Sequence, residues 1–127
     1  MIDSKSLADD IVIAVFGRRN AHIDLQGKGR LYVRRSVRYL GNEAGYALDL
    51  ADITVNEDCR GYGVFSATLH AVEIAAAKLG CTYVYVQSIQ NPIVRGTLER
   101  RGYLPRPGFP QDMWTLTDQP RTPGDPA

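Results

Sequence analysis

From Ser6 onward the apolar positions fall at Leu7, Ile11, Val12, Val15 and Phe16, the three-to-four spacing of a helix with one buried face. Ser6 can cap such a helix and Asp9 follows as its acidic third residue, so the spacing predicts a helix over 6–17. The β-branched run Ile11-Val12-Ile13 leaves a strand open as the alternative. Residues 21–26 read as a short strand, and Gly27-Lys28-Gly29 turns the chain into a longer one over 30–40. There the alternation is plain. Leu31, Val33, Val37 and Tyr39 point one way and Arg30, Tyr32, Arg34, Ser36 and Arg38 the other, with Arg35 interrupting the apolar side. Gly41 to Gly45 reads as a hairpin loop, and 46–55 as the next strand.

Past residue 63 the period changes. Leu69, Val72, Ala76 and Leu79 recur every three or four residues, which predicts a helix over 64–79, stopped by Gly80. Thr82–Gln87 is a strand on β-propensity. Strand 46–55, helix 64–79 and strand 82–87 then make a right-handed βαβ unit with parallel strands. Asn91 as cap and Pro92 as first helical residue open a further helix, which runs to Arg101 and ends at Gly102. Leu104–Pro110 reads as a stiff irregular connection, and Met113–Thr117 as a last strand. No repeat is visible. The organisation expected is a single α/β domain over 1–117 and a Pro- and Gly-rich disordered tail over 118–127.

Composition narrows the class only a little. A chain of 127 residues with 44% apolar and 23% charged residues is long enough for one buried core. A net charge of +1 argues against a nucleic-acid binder that relies on bulk electrostatics, although Arg18, Arg19, Lys28, Arg30, Arg34, Arg35 and Arg38 all precede residue 40. No apolar run approaches the roughly 18 residues of a membrane span. Cys59 and Cys81 read as free thiols, and His22 and His70 lie too far apart for metal-ligand spacing. These features point to a cytoplasmic protein with no metal and no membrane association.

The chemistry concentrates where strand 46–55 gives way to helix 64–79. Arg60-Gly61-Tyr62-Gly63 joins the two, so the first N–H groups of the helix, which lack intrahelical partners, converge beside a flexible turn. The helix dipole adds partial positive charge there, and a phosphate is the natural occupant. Gly61 and Gly63 let a ligand approach the main chain, and Arg60 adds a fork of donors.

Two separated motifs here resemble the GNAT superfamily of acetyl-CoA-dependent N-acetyltransferases, over roughly residues 30–117. The first is an Arg/Gln-x-x-Gly-x-Gly/Ala loop, here Arg60-Gly61-Tyr62-Gly63-Val64-Phe65. The second places an asparagine seven residues before a tyrosine that is followed by x-x-x-Gly-Phe/Tyr, here Asn91, Leu98, Gly102 and Tyr103. The resemblance implies a GNAT-like fold: a mixed central sheet with splayed parallel strands, flanking helices and, in this chain, an abbreviated N-terminal helical region. It implies acetyl-CoA in the gap between strands 46–55 and 82–87. The Arg60, Gly61, Tyr62, Gly63, Val64, Phe65 and Ser66 segment would hold the pyrophosphate. The backbone of Ile53 and Val55 would pair with the pantetheine arm, and Asn91 would add a contact. An amine would attack the thioester directly. Its base is expected to be Asp49, placed on the same strand face as Ile53 and Val55, with Asp52 on the opposite face.

The chain departs from the family at three points. Phe65 replaces the usual Gly or Ala, fewer than thirty residues precede strand 30–40, and Leu98 stands where members commonly place a tyrosine acid. Ser88, or solvent, is left to protonate the departing thiolate. The shortened acceptor wall suggests an open site suited to an amine on a protein or peptide. Two rivals stand beside this reading: a GNAT-fold module that binds acyl-CoA or a protein without turnover, and a different βαβ phosphate binder.

Overall fold

A computed structural model describes residues 1–117, and the tail expected from Asp118 lies outside the described residues. The elements in order are α1 (Ser4–Val15), β1 (Asn20–Asp24), β2 (Gly29–Tyr39), β3 (Ala44–Val55), a 3-10 turn (Glu57–Cys59), α2 (Val64–Lys78), β4 (Tyr83–Val86), α3 (Pro92–Arg100), β5 (Leu104–Arg106) and β6 (Phe109–Leu116). The strands form one mixed six-stranded sheet in the order β1-β2-β3-β4-β6-β5, in which only β3 and β4 are parallel neighbours.

The first helix starts earlier than the Ser6 cap predicts. Asp3 takes the cap, its carboxylate accepting from the N–H groups of Lys5 and Ser6 at 3.1 and 3.2 Å. Leu7, Ala8, Ile11 and Val15 are buried while Ile13 is exposed, a helical pattern that settles the alternative of a strand. The Ser4 hydroxyl donates to the Ala67 carbonyl at 2.8 Å, tying α1 to α2. The core gathers these residues with Leu31, Val33, Leu48, Leu50, the inner side of α2, Val84, Val86, Leu98 and Met113. A smaller cluster of Ala47, Tyr83 and Tyr85, with Trp114 packed on it, occupies the other sheet face.

Three expectations need correction. In β2 the apolar side is buried only at Leu31 and Val33; Val37 and Tyr39 are exposed. The stretch 104–110 is not irregular: β5 and β6 form a hairpin with Arg106 paired to Phe109 across Pro107-Gly108. Gly108 sits at φ +82°, the left-handed value that the third position of a type II turn requires, and Pro107 fits the position before it. The third correction is a bulge in β3. Tyr32 pairs with Asp52 but Val33 pairs with Leu50, so Ala51 has no partner and the strand's alternation flips across it.

Candidate active site

Parallel pairing between β3 and β4 runs from Ala47 with Tyr83 to Leu50 with Val86, and a last bond joins the Gln87 N–H to the Leu50 carbonyl at 3.3 Å. Beyond it the strands part. The remainder of β3, Asp52 to Val55, stays paired on its other side with β2. The Asn56 N–H donates to Lys28 on the β2 side at 2.8 Å. Successive main-chain groups alternate along a strand, so those of Ile53 and Val55 point the opposite way, into the gap. Arg60 confirms the direction, its Nε donating to the Val55 carbonyl at 3.2 Å.

Where the strands part, the molecule has a cleft of about 820 Å³. One wall is Leu50 to Val55; another is Arg60, Gly61 and Gly63 with the first turn of α2; the third is Val86 to Asn91 with Val94 and Thr97. Gly61 and Gly63 hold φ at +85° and +77°, and a Cβ at either would meet no described residue within 4 Å. Backbone geometry, not crowding, asks for glycine there. Gly63 precedes α2 without a side-chain cap, and the Ala67 N–H makes the bond back to the Gly63 carbonyl. The amides of Val64, Phe65 and Ser66 fall before that bond and belong to the helix's unsatisfied first turn.

Of the residues singled out in the sequence, Ile53, Val55, Arg60, Gly61, Gly63, Val64, Phe65, Ser66, Ser88 and Asn91 all border this cleft. Phe65 is half-buried against the core and forms part of the wall. Asn91 caps α3, accepting from the Ile93 N–H at 2.8 Å. Ser88 is exposed, holds φ at +56°, and donates its N–H to Asp112 at 2.9 Å. Tyr62 is not part of the lining; the residue is 72% exposed.

Asp49 lies elsewhere. Because the bulge flips the alternation, Asp49 shares a face with Asp52 and turns away from the face of Ile53 and Val55. It is fully buried, accepting from Arg34 Nε at 3.2 Å, Ser36 Oγ at 2.9 Å and Arg38 Nη2 at 2.8 Å. Arg38 lies 3.6 Å over the Tyr85 ring, which closes that side. Arg34 also donates from Nη2 to Gln87 Oε1, and Gln87 does border the cleft. Asp52, by contrast, is exposed, lines the cleft and forms no ion pair with any described residue. Leu98 is buried in the core with no exposure, so the position of the family's tyrosine is spent on packing.

The two thiols are not activated. Desolvation, then the neighbouring Asp58 carboxylate to which its thiol donates, pushes Cys59 above the ordinary thiol range. Burial raises Cys81 as well.

No protein-family model and no curated protein sequence matches this chain. Solved structures do. The AtaT mutant toxin bound to the C-terminus of the antitoxin AtaR and acetyl-CoA aligns with a TM-score of 0.54 at 15% identity, over 71% of this chain and 59% of that one. AtaT complexed with acetyl-methionyl-tRNAfMet aligns with a TM-score of 0.54 at 17% identity, over 71% of this chain and 62% of that one. The chain has a GNAT-like fold. The KacTA–DNA complex gives 0.54 at 15% identity, over 71% of this chain and 58% of that one. The chain thus spans about three fifths of the length of the structures it matches. Neighbours in complex with DNA and with tRNA mean that the charge argument against a nucleic-acid partner gains no support from the fold. Among the described residues no helix is long and apolar enough to cross a membrane.

Proposed function

We propose that this chain is an acetyl-CoA-dependent N-acetyltransferase that moves the acetyl group to an amine by direct attack. The observation that carries the reading is the end of β3–β4 pairing at Leu50 and Val86. It leaves the main-chain groups of Ile53 and Val55 facing a gap beside the first amides of α2. The residues suit the cofactor. The diphosphate takes the amides of Val64, Phe65 and Ser66 and the guanidinium of Arg60, which must leave the Val55 carbonyl to reach it. The pantetheine arm then pairs with Ile53 and Val55 like an added strand, with Asn91 at its flank.

Acetyl-CoA supplies an acyl group already activated as a thioester. The chain's own residues supply orientation and proton traffic. Asp52 takes over the role expected of Asp49: it is the carboxylate that faces the cleft and has lone pairs free to receive the amine's proton. Gln87 is held by Arg34 through its Oε1, which leaves its Nε2 donors for oxygen charge developing on the carbonyl. Ser88 is the hydroxyl placed to return a proton to the departing sulfur. An amine carried on a protein or peptide is the acceptor we favour.

The packing of Leu98 into the core favours one rival, a binder of acyl-CoA without turnover. Thiol release in the presence of an amine panel separates the two. For the enzyme, Asp52→Asn should lower kcat by about 10² and leave the KM for acetyl-CoA unchanged. An unaltered kcat assigns the base elsewhere.

A further inference from the structure

Away from the cleft, where α1 ends and the chain turns into β1, Gly17, Arg18, Arg19, Arg35, Ser36, Val37 and Tyr46 enclose a concavity of about 290 Å³. Three of the lining side chains are arginines and none is acidic. Arg18, Arg19 and Arg35 form no ion pair with any described residue, unlike Arg34 and Arg38, which share Asp49 on the opposite face. Arg35 is half-buried with its guanidinium 5.2 Å from the centre of the Tyr46 ring, within reach of a cation–π contact. Its Nε is buried and makes no hydrogen bond with any described residue. A buried charged donor left without an acceptor is costly, and an ion from solution is one of the few things that answers it. The wall beneath is built in place. The Arg35 N–H donates to the Arg19 carbonyl at 2.7 Å, and Gly17 at φ +75° makes the turn that brings Arg18 and Arg19 over β2.

We propose that this pocket is a binding site for a phosphate group. Three guanidiniums around one concavity offer paired N–H forks that match a tetrahedral dianion. The volume exceeds what a bare ion fills and leaves space for a small organic substituent. The site lies beside Tyr46, toward the start of β3, whereas the cleft lies along its end, so the two are separate.

The test is calorimetric titration at constant ionic strength with inorganic phosphate and, in parallel, with glycerol 1-phosphate. The wild-type chain, Gly63→Asp with its α2 amides obstructed, Arg35→Gln and the surface double variant Arg18→Gln/Arg19→Gln are compared. Binding should persist in Gly63→Asp and weaken about tenfold or more in both arginine variants. Tighter binding of the ester assigns the site to a ligand-borne phosphate, and equal binding to the free ion. Arginine variants that bind as the wild type does, or signal lost when chloride replaces other salt at the same ionic strength, would overturn the proposal. Arg18 and Arg19 are exposed, so the double variant keeps the test decisive if Arg35→Gln fails to fold.

Discussion

Gly63 combines a left-handed backbone with open space where a side chain would go, so its substitutions separate strain from charge. Asn and Asp tolerate φ near +77° about equally, but only Asp brings a negative charge to the amides of Val64 to Ser66. Gly63→Asp should therefore bind acetyl-CoA about tenfold more weakly than Gly63→Asn, roughly the 1.4 kcal/mol of one like-charge contact. Equal affinities by calorimetry contradict the placement of the diphosphate. Cys81 gives a pH effect with a definite sign. Burial raises its thiol in the folded chain above the usual 9.0, so the native state holds that proton more tightly than the unfolded one. The stability this contributes is present below the ordinary thiol value and is lost as pH rises through it toward the raised one. Denaturant midpoints for the wild type should fall more steeply between about pH 8 and pH 10 than those for Cys81→Ala; parallel slopes contradict it.

At the scale of elements, β3 is where sequence and structure part. The βαβ unit was legible because apolar period, Gly80 and the Asn91-Pro92 cap all agree, and α2, β4 and α3 fall within a residue or two of expectation. The bulge was not. Ala-Leu-Asp-Leu-Ala-Asp-Ile alternates passably in either register, and only the pairing with β2 shows that Ala51 is skipped. One skipped residue puts Asp49 on the face of Asp52 rather than that of Ile53, and what separates the two carboxylates is that Asp49 is buried against Arg34 and Arg38 while Asp52 is exposed at the cleft. The β5–β6 hairpin was missed for another reason: prolines mask a strand, yet Pro105 is on β5, an edge strand where a missing N–H costs little. Pro107-Gly108 was the turn signal available. Asp49 follows as a positioning residue that anchors Arg34 and Arg38. Asp49→Asn should cost about 3 kcal/mol of stability by leaving two guanidiniums without their anion. Stability intact with catalysis lost would restore Asp49 as the base.

At the scale of the molecule, the sheet is continuous from β1 to β2 to β3 and from β4 to β6 to β5, and among the described residues its halves pair along their backbones over Tyr46 to Leu50. Everything proposed for the cleft rests on that short join. It opens the gap, aims Ile53 and Val55 into it, and sets them beside the start of α2. The most direct measurement is residue-resolved amide hydrogen exchange with and without saturating acetyl-CoA. Slowed exchange at Ile53, Val55 and Val64 to Ser66, with the β1–β2 amides unchanged, is the predicted result. Unchanged exchange at those five amides while acetyl-CoA binds elsewhere would contradict the account.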